Sequence, residues 1–144
     1  VASTHGIMFG GAAGAGGMTS QVLDDYEEGT YSFNESSISV SNYGMRYIKI
    51  GRMVYLTGRI VFGSSTDTGV LNMTGLPFSP DTDVSNSAQA GYIGESDIGS
   101  TPLAIVLETS TSAFRLRVDN QTALNRSQVS GDNIRFNMCY LAAT

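Results

Sequence analysis

An all-β fold, a two-sheet antiparallel β-sandwich of jelly-roll type, is what this sequence predicts, and three observations point to it. Short apolar runs recur with period two, the spacing that sends alternate side chains to opposite faces of a strand. Gly, Ser, Asn and Asp separate those runs at turn-like intervals. No stretch carries the i, i+3, i+4, i+7 apolar stripe of an amphipathic helix. The 144 residues fit one domain. A chain of that length buries about 68–70% of its unfolded surface, enough for a core without disulfide or metal staples.

Taken in order, residues 1–22 stand apart from the rest. The segment GIMFGGAAGAGGMTSQ is rich in Gly and Ala, nearly uncharged and without periodicity. Glycine loses the most backbone entropy on folding, so this leader is expected to be an irregular, flexible connector. Val1 stands where an initiating Met would, so the chain is expected to be an excerpt or a processed product. The head domain is expected over residues 23–144. Its first block, LDDYEEGTY, reads as an acidic turn leading into the first strand.

Ser37–Tyr43 is the next expected strand, with Ile38 and Val40 on one face. Ile48 and Ile50 share a face before a tight turn at Gly51. Beyond the turn, Val54, Leu56, Ile60 and Phe62 share a face, with Tyr55, Thr57 and Arg59 opposite. Val70–Met73 is a short strand closed by Gly75, Leu76, Pro77 and Phe78. There Leu76 and Phe78 are placed to anchor the following loop to the core. Leu103–Glu108 is apolar on both faces and is expected to be central. In Ala113–Asp119, Phe114, Leu116 and Val118 alternate with Arg115 and Arg117. Ile134–Leu141 closes the domain, with Ile134, Phe136, Met138 and Tyr140 set against Arg135, Asn137 and Cys139. Tyr47, Met53, Tyr55 and Val61, beside Lys49, Arg59, Arg115 and Arg117, compose a mixed second face of the kind subunit interfaces favour.

Several function classes are disfavoured by composition. With 13 Asp and Glu against 8 Lys and Arg, the net charge of −5 gives no basic footprint for nucleic acid or for an anionic membrane. No apolar run reaches the ~18–20 residues of a membrane helix, so no membrane insertion is expected. The one imidazole, His5, lies in the leader, and no G-x-S-x-G elbow is present, which argues against a triad hydrolase. One His and one Cys at opposite ends of the chain do not make a zinc ligand set. Cys139 is expected to be a small buried hydrophobe.

Asp24, Asp25, Glu27 and Glu28, and the pair Asp81 and Asp83, offer oxygen ligands for calcium, but solvated acidic turns are the simpler reading. The F-G-G-A-A-G-A-G-G stretch lacks the Lys-Ser/Thr end of a phosphate loop. Sequons at Asn34, Asn72, Asn120 and Asn125 are what a chain rich in Asn, Ser and Thr contains by chance. Neither catalytic residues nor cofactors are expected.

Four blocks in sequence order nevertheless form a pattern: GIMFGG with LDDYEEGTY, then YIKIGRMVYLTGRI, GLPF and IRFNMCYLA. Together they span nearly the whole chain and resemble a C-terminal module of bacteriophage tail-fibre and related virion proteins. The L-D-D-Y-E-E-G block is the specific one. Departures from that pattern are the AAGAGGMTSQV insert after F-G-G, and Tyr31 where the family often has Trp. The resemblance implies a homotrimeric fibre tip on the virion, attached to other tail proteins and adsorbing to a bacterial surface glycan or protein. It implies no enzyme. Receptor contacts are then expected on the loops Gly63–Gly69, Ser79–Ala88, Glu95–Thr101 and Asn120–Asp132. Within the blocks, Lys49 or Arg52 is expected to pair with the acids of LDDYEEG. Alternative readings are a purely structural virion protein (a head fibre, capsid decoration or trimerisation cap) and a glycan depolymerase.

Overall fold

A computed structural model describes Ile7–Met8, Val22–Leu23 and residues 25–81, 90–99, 103–108, 113–118 and 122–143. Among these the fold is all-β and antiparallel. In the leader, β1 (Ile7–Met8) pairs with β2 (Val22–Leu23) at the boundary of the head. The head carries β3 (Tyr26–Thr30), β4 (Val40–Ile50), β5 (Met53–Phe62), β6 (Met73–Thr74) and β7 (Ala90–Ser96). It continues with β8 (Leu103–Glu108), β9 (Ala113–Val118), β10 (Thr122–Ala123) and β11 (Asn133–Leu141). A 3-10 turn, Arg126–Val129, precedes β11, and Asn125 and Gln128 close it with a reciprocal capping box.

Within the head, hydrogen bonding runs through one continuous sheet, in the order β10-β9-β8-β7-β11-β5-β4-β3, with β6 also on β9. The sheet curls on itself, and the aromatic core measures how far. β9 and β11 lie three places apart, about 14 Å in a flat sheet at ~4.8 Å per strand. Yet Phe114 on β9 and Phe136 on β11 have ring centroids 6.4 Å apart. Phe33 fills the gap, 4.5 Å from Phe114 and 5.9 Å from Phe136. Inside the curl, Val54, Leu56, Ile60 and Phe62 are buried together, as their alternation predicts. Ile105 and Leu107 do the same on β8, which sits between β7 and β9. Leu76 is buried and Phe78 packs against the core, anchoring the turn as expected.

Several expectations need correction. The first strand starts earlier in the LDDYEEGTY block than expected: Tyr26–Thr30, read as part of the acidic turn, is the edge strand β3, paired from Tyr26↔Ile50 to Thr30↔Arg46. Charged side chains suit such an edge because they deter further strand addition. The strand expected from Ser37 begins only at Val40, because Glu35 bends the chain by accepting from the backbone N–H of Ser37 (2.7 Å) and Ile38 (3.0 Å). β7 escaped sequence reading because Gly91 and Gly94 dilute its alternation. It also takes up Glu95 and Ser96, which were expected to lie in a loop.

Cys139 is exposed, not buried. It falls on the outer parity of β11, between the buried Met138 and Tyr140. The deepest correction concerns β4. A bulge between Tyr43 and Arg46 sets Gly44 (φ 60°) and Met45 against the single residue Gly58. Met45 turns inward onto Gly58, where a Cβ would collide with its sulfur. Each residue beyond the bulge therefore changes face. Tyr47 and Lys49 point in, and Ile48 and Ile50 point out.

Candidate functional site

The described parts of three of the four expected contact loops gather at one end of the curled sheet. Residues 63–69 leave β5 and are tied to the segment before β11 by Gly131 N–H to Gly63 O (3.1 Å) and Ser65 N–H to Ser130 Oγ (2.8 Å). Ser127 N–H donates to Asp67 O (2.8 Å), and Arg126 N–H to Gly69 O (3.1 Å). The chain leaving β7 joins them through Asp97 N–H to Asn133 O (3.1 Å). The fourth loop lies apart. Its described part, residues 79–81, runs beside the end of β11 at the opposite pole, with Asp81 N–H on Leu141 O (2.8 Å). Asp83 and the rest of that loop, like Asp24, His5 and Asn120, fall outside the described residues.

An ion cluster ties the loop end together. Arg126 donates to Glu35 Oε1 from Nε (2.9 Å) and Nη2 (2.6 Å), and to Asp67 Oδ2 from Nη1 (2.9 Å). The Glu35 side chain is only 1% exposed, and its other oxygen accepts from Ser37 and Ile38. Burial by itself would raise the Glu35 carboxyl pKa. Arg126 and the two backbone N–H groups outweigh burial and hold it below the usual carboxylate range. Asp67 is lowered chiefly by the Gly69 N–H, against opposition from burial and with Arg126 assisting, while Glu35 raises the guanidinium of Arg126. A carboxylate with both oxygens occupied is suited to positioning rather than to proton transfer. Sequence reading missed this cluster because 91 positions separate Glu35 from Arg126 and no local pattern links them.

At the opposite pole the recognisable blocks meet. Lys49 pairs with Asp25, as one of the two expectations had it, whereas Arg52 pairs with Asp81 and donates from Nε to Ala142 O (3.0 Å). Tyr47 lies over its cross-strand partner Gly29, where any Cβ would come within 2.7 Å of the ring. Its hydroxyl donates to Glu27 Oε1 (2.7 Å). Phe78 stacks edge-on to Tyr47 (5.3 Å) and under the Lys49 ammonium (5.4 Å). Tyr140 closes the group, donating to Phe78 O (2.9 Å) and accepting from Phe78 N–H (3.3 Å). LDDYEEG, YIK, GLPF and the closing strand thus form one clamp. Its described acids are engaged in pairs: Asp25 with Lys49, Glu27 with Tyr47, and Glu28 with the Tyr26 hydroxyl (2.9 Å).

The outer face of β3, β4, β5 and β11 is the third region. By register, Tyr26, Ile50, Met53 and Leu141 form one cross-strand row and Glu28, Ile48, Tyr55 and Cys139 the next. Thr30, Arg46, Thr57 and Asn137 form a third. The six large apolar side chains in these rows are 37–58% exposed. An open hollow of about 340 Å³ lies between β3, β4 and β5, bordered by Glu28, Arg46, Ile48 and Tyr55. Of the mixed face expected from sequence, Met53, Tyr55, Val61 and Arg59 share this side of β5. Tyr47 and Lys49 belong to the inner clamp instead, and Arg115 and Arg117 stand on β9, four strands from β5 in the sheet.

No helix among the described residues is long and apolar enough to cross a membrane. Compared with known proteins, the chain matches no family model, no curated protein and no solved structure.

Proposed function

We propose that this chain is the receptor-facing terminal domain of a bacteriophage tail-fibre protein, a homotrimeric virion module that adsorbs to a glycan or protein on the host surface. The observation that carries this reading is the gathering of residues 63–69, 97–99 and 124–132 at one end of a rigid sheet. Loops held by a scaffold are where binding resides. The resemblance of the four blocks supports the same reading, since they converge on one clamp that fixes the chain leaving the leader. In this reading the curled sheet is the jelly-roll-like sandwich of a fibre head, and three copies on one tip gain avidity from weak single contacts.

One observation favours a second reading, a purely structural virion protein. Much of the polar chemistry at the loop end is satisfied internally: Asp67 and Arg126 pair with each other, and Asn125 caps its own turn.

Labelled protein applied to a panel of bacterial surfaces separates the two. The exposed side chains Ser64, Thr66 and Thr68 can be replaced by Lys while Asp67 is kept. Loss of adsorption at unchanged melting temperature is the expected result. Full adsorption by that variant overturns the loop assignment. Docking to virions without affinity for any cell favours the structural reading.

A further inference from the structure

We propose that the outer face of β3, β4, β5 and β11 is the surface on which copies of this chain meet. The inference rests on reading the chain as an oligomeric fibre tip, and it assigns the face that such an oligomer uses. Tyr26, Ile48, Ile50, Met53, Tyr55 and Leu141 adjoin one another in two rows and all stand in solvent in a single chain. They are contiguous rather than scattered, and a contiguous apolar patch inside a polar rim is the form an interaction site takes.

Charge selects the occupant. The chain carries a net charge of −5, so two copies repel over most orientations. The three outer rows hold only Glu28 and Arg46 as charged side chains, one of each sign. Copies meeting there escape repulsion, and Arg46 of one is free to approach Glu28 of another. Charged pairs flank the apolar centre at both poles, Arg52 with Asp81 and Arg135 with Glu95. An apolar centre rich in Tyr and Met inside a polar rim is the composition of a protein–protein interface.

Light scattering on the 144-residue chain, with alkylation of Cys139 as a second readout, tests the assignment. The unmutated protein is expected at a multiple of 15.2 kDa, with Cys139 reacting slowly. The double substitution Met53→Lys, Tyr55→Glu is expected to bring the mass down to 15.2 kDa and to make Cys139 react rapidly, with an unchanged circular dichroism spectrum. Tyr43→Glu, beyond the three rows, is expected to leave the mass as it was. If the double variant does not fold, Cys139 reactivity in the unmutated oligomer decides. An oligomer that survives the double substitution, or one whose Cys139 reacts as fast as in unfolded chain, overturns the face but leaves the oligomeric reading standing. A mass of 15.2 kDa for the unmutated protein overturns both.

Discussion

The two faces of the β4–β5 hairpin share one backbone and one register, yet they are treated in opposite ways. Inward, Tyr47 covers Gly29, Lys49 reaches Asp25, and Val54 and Leu56 are fully buried. Outward, Ile48, Ile50, Met53 and Tyr55 keep more than a third of their surface in solvent. Local hydrophobicity does not explain the division, because two isoleucines lie outside while a lysine lies inside. The bulge at Gly44 and Met45 explains it, since one extra residue exchanges the faces of everything beyond it. The inner face is closed by its own contacts and supports the fold, whereas the outer face keeps its apolar side chains in solvent.

The sharpest way to break the comparison is to cut the inner face. Phe33→Ala removes the ring that spans β9 and β11, and is expected to cost about 3–5 kcal/mol in urea unfolding. Under conditions where the chain is a monomer, Met53→Ala on the outer face is expected to change stability by no more than about 0.5 kcal/mol. Equal losses from the two would show that the outer face contributes to the core of the single chain.

The next contrast is between the two poles. Glu35→Gln at the loop end is expected to lower the melting temperature by on the order of 5 °C. Because the folded Glu35 pKa is lowered, its contribution is complete above the unfolded value of about 4.3 and is lost as pH falls through the folded value. The variant should therefore lose stability less steeply below about pH 4 than the parent does. An unchanged acid limb would mean that Arg126 does not hold the carboxylate in solution.

The smallest effect is expected at the clamp. Asp25 is half exposed, so Asp25→Asn should cost less than about 1 kcal/mol, and the difference should shrink in high salt. A loss of several kcal/mol would make the Lys49–Asp25 pair a principal tie between β3 and β4.

Much of the fold was legible in the residues. The alternation of Val54, Leu56, Ile60 and Phe62, the turn at Gly51 and the closing strand through Tyr140 all lie where period-two reading puts them. The expectation that Lys49 or Arg52 would answer the acidic block holds through Lys49, while Arg52 turns to Asp81. The Arg126 cluster and the pole on which each loop sits were not legible, because they join residues far apart in the chain.

What the sequence determined by itself is therefore the local choice: strand over helix, the positions of turns, and which alternate residues travel together. These follow from side-chain periodicity and backbone sterics, which act over a few residues. Tertiary structure alone decided which of the two alternating sets turns inward beyond Gly44, that one hydrogen-bonded sheet curls around Phe33, and that Cys139 stands in solvent. A single inserted residue reverses facing without altering the pattern around it, so facing is settled only when the strands pair.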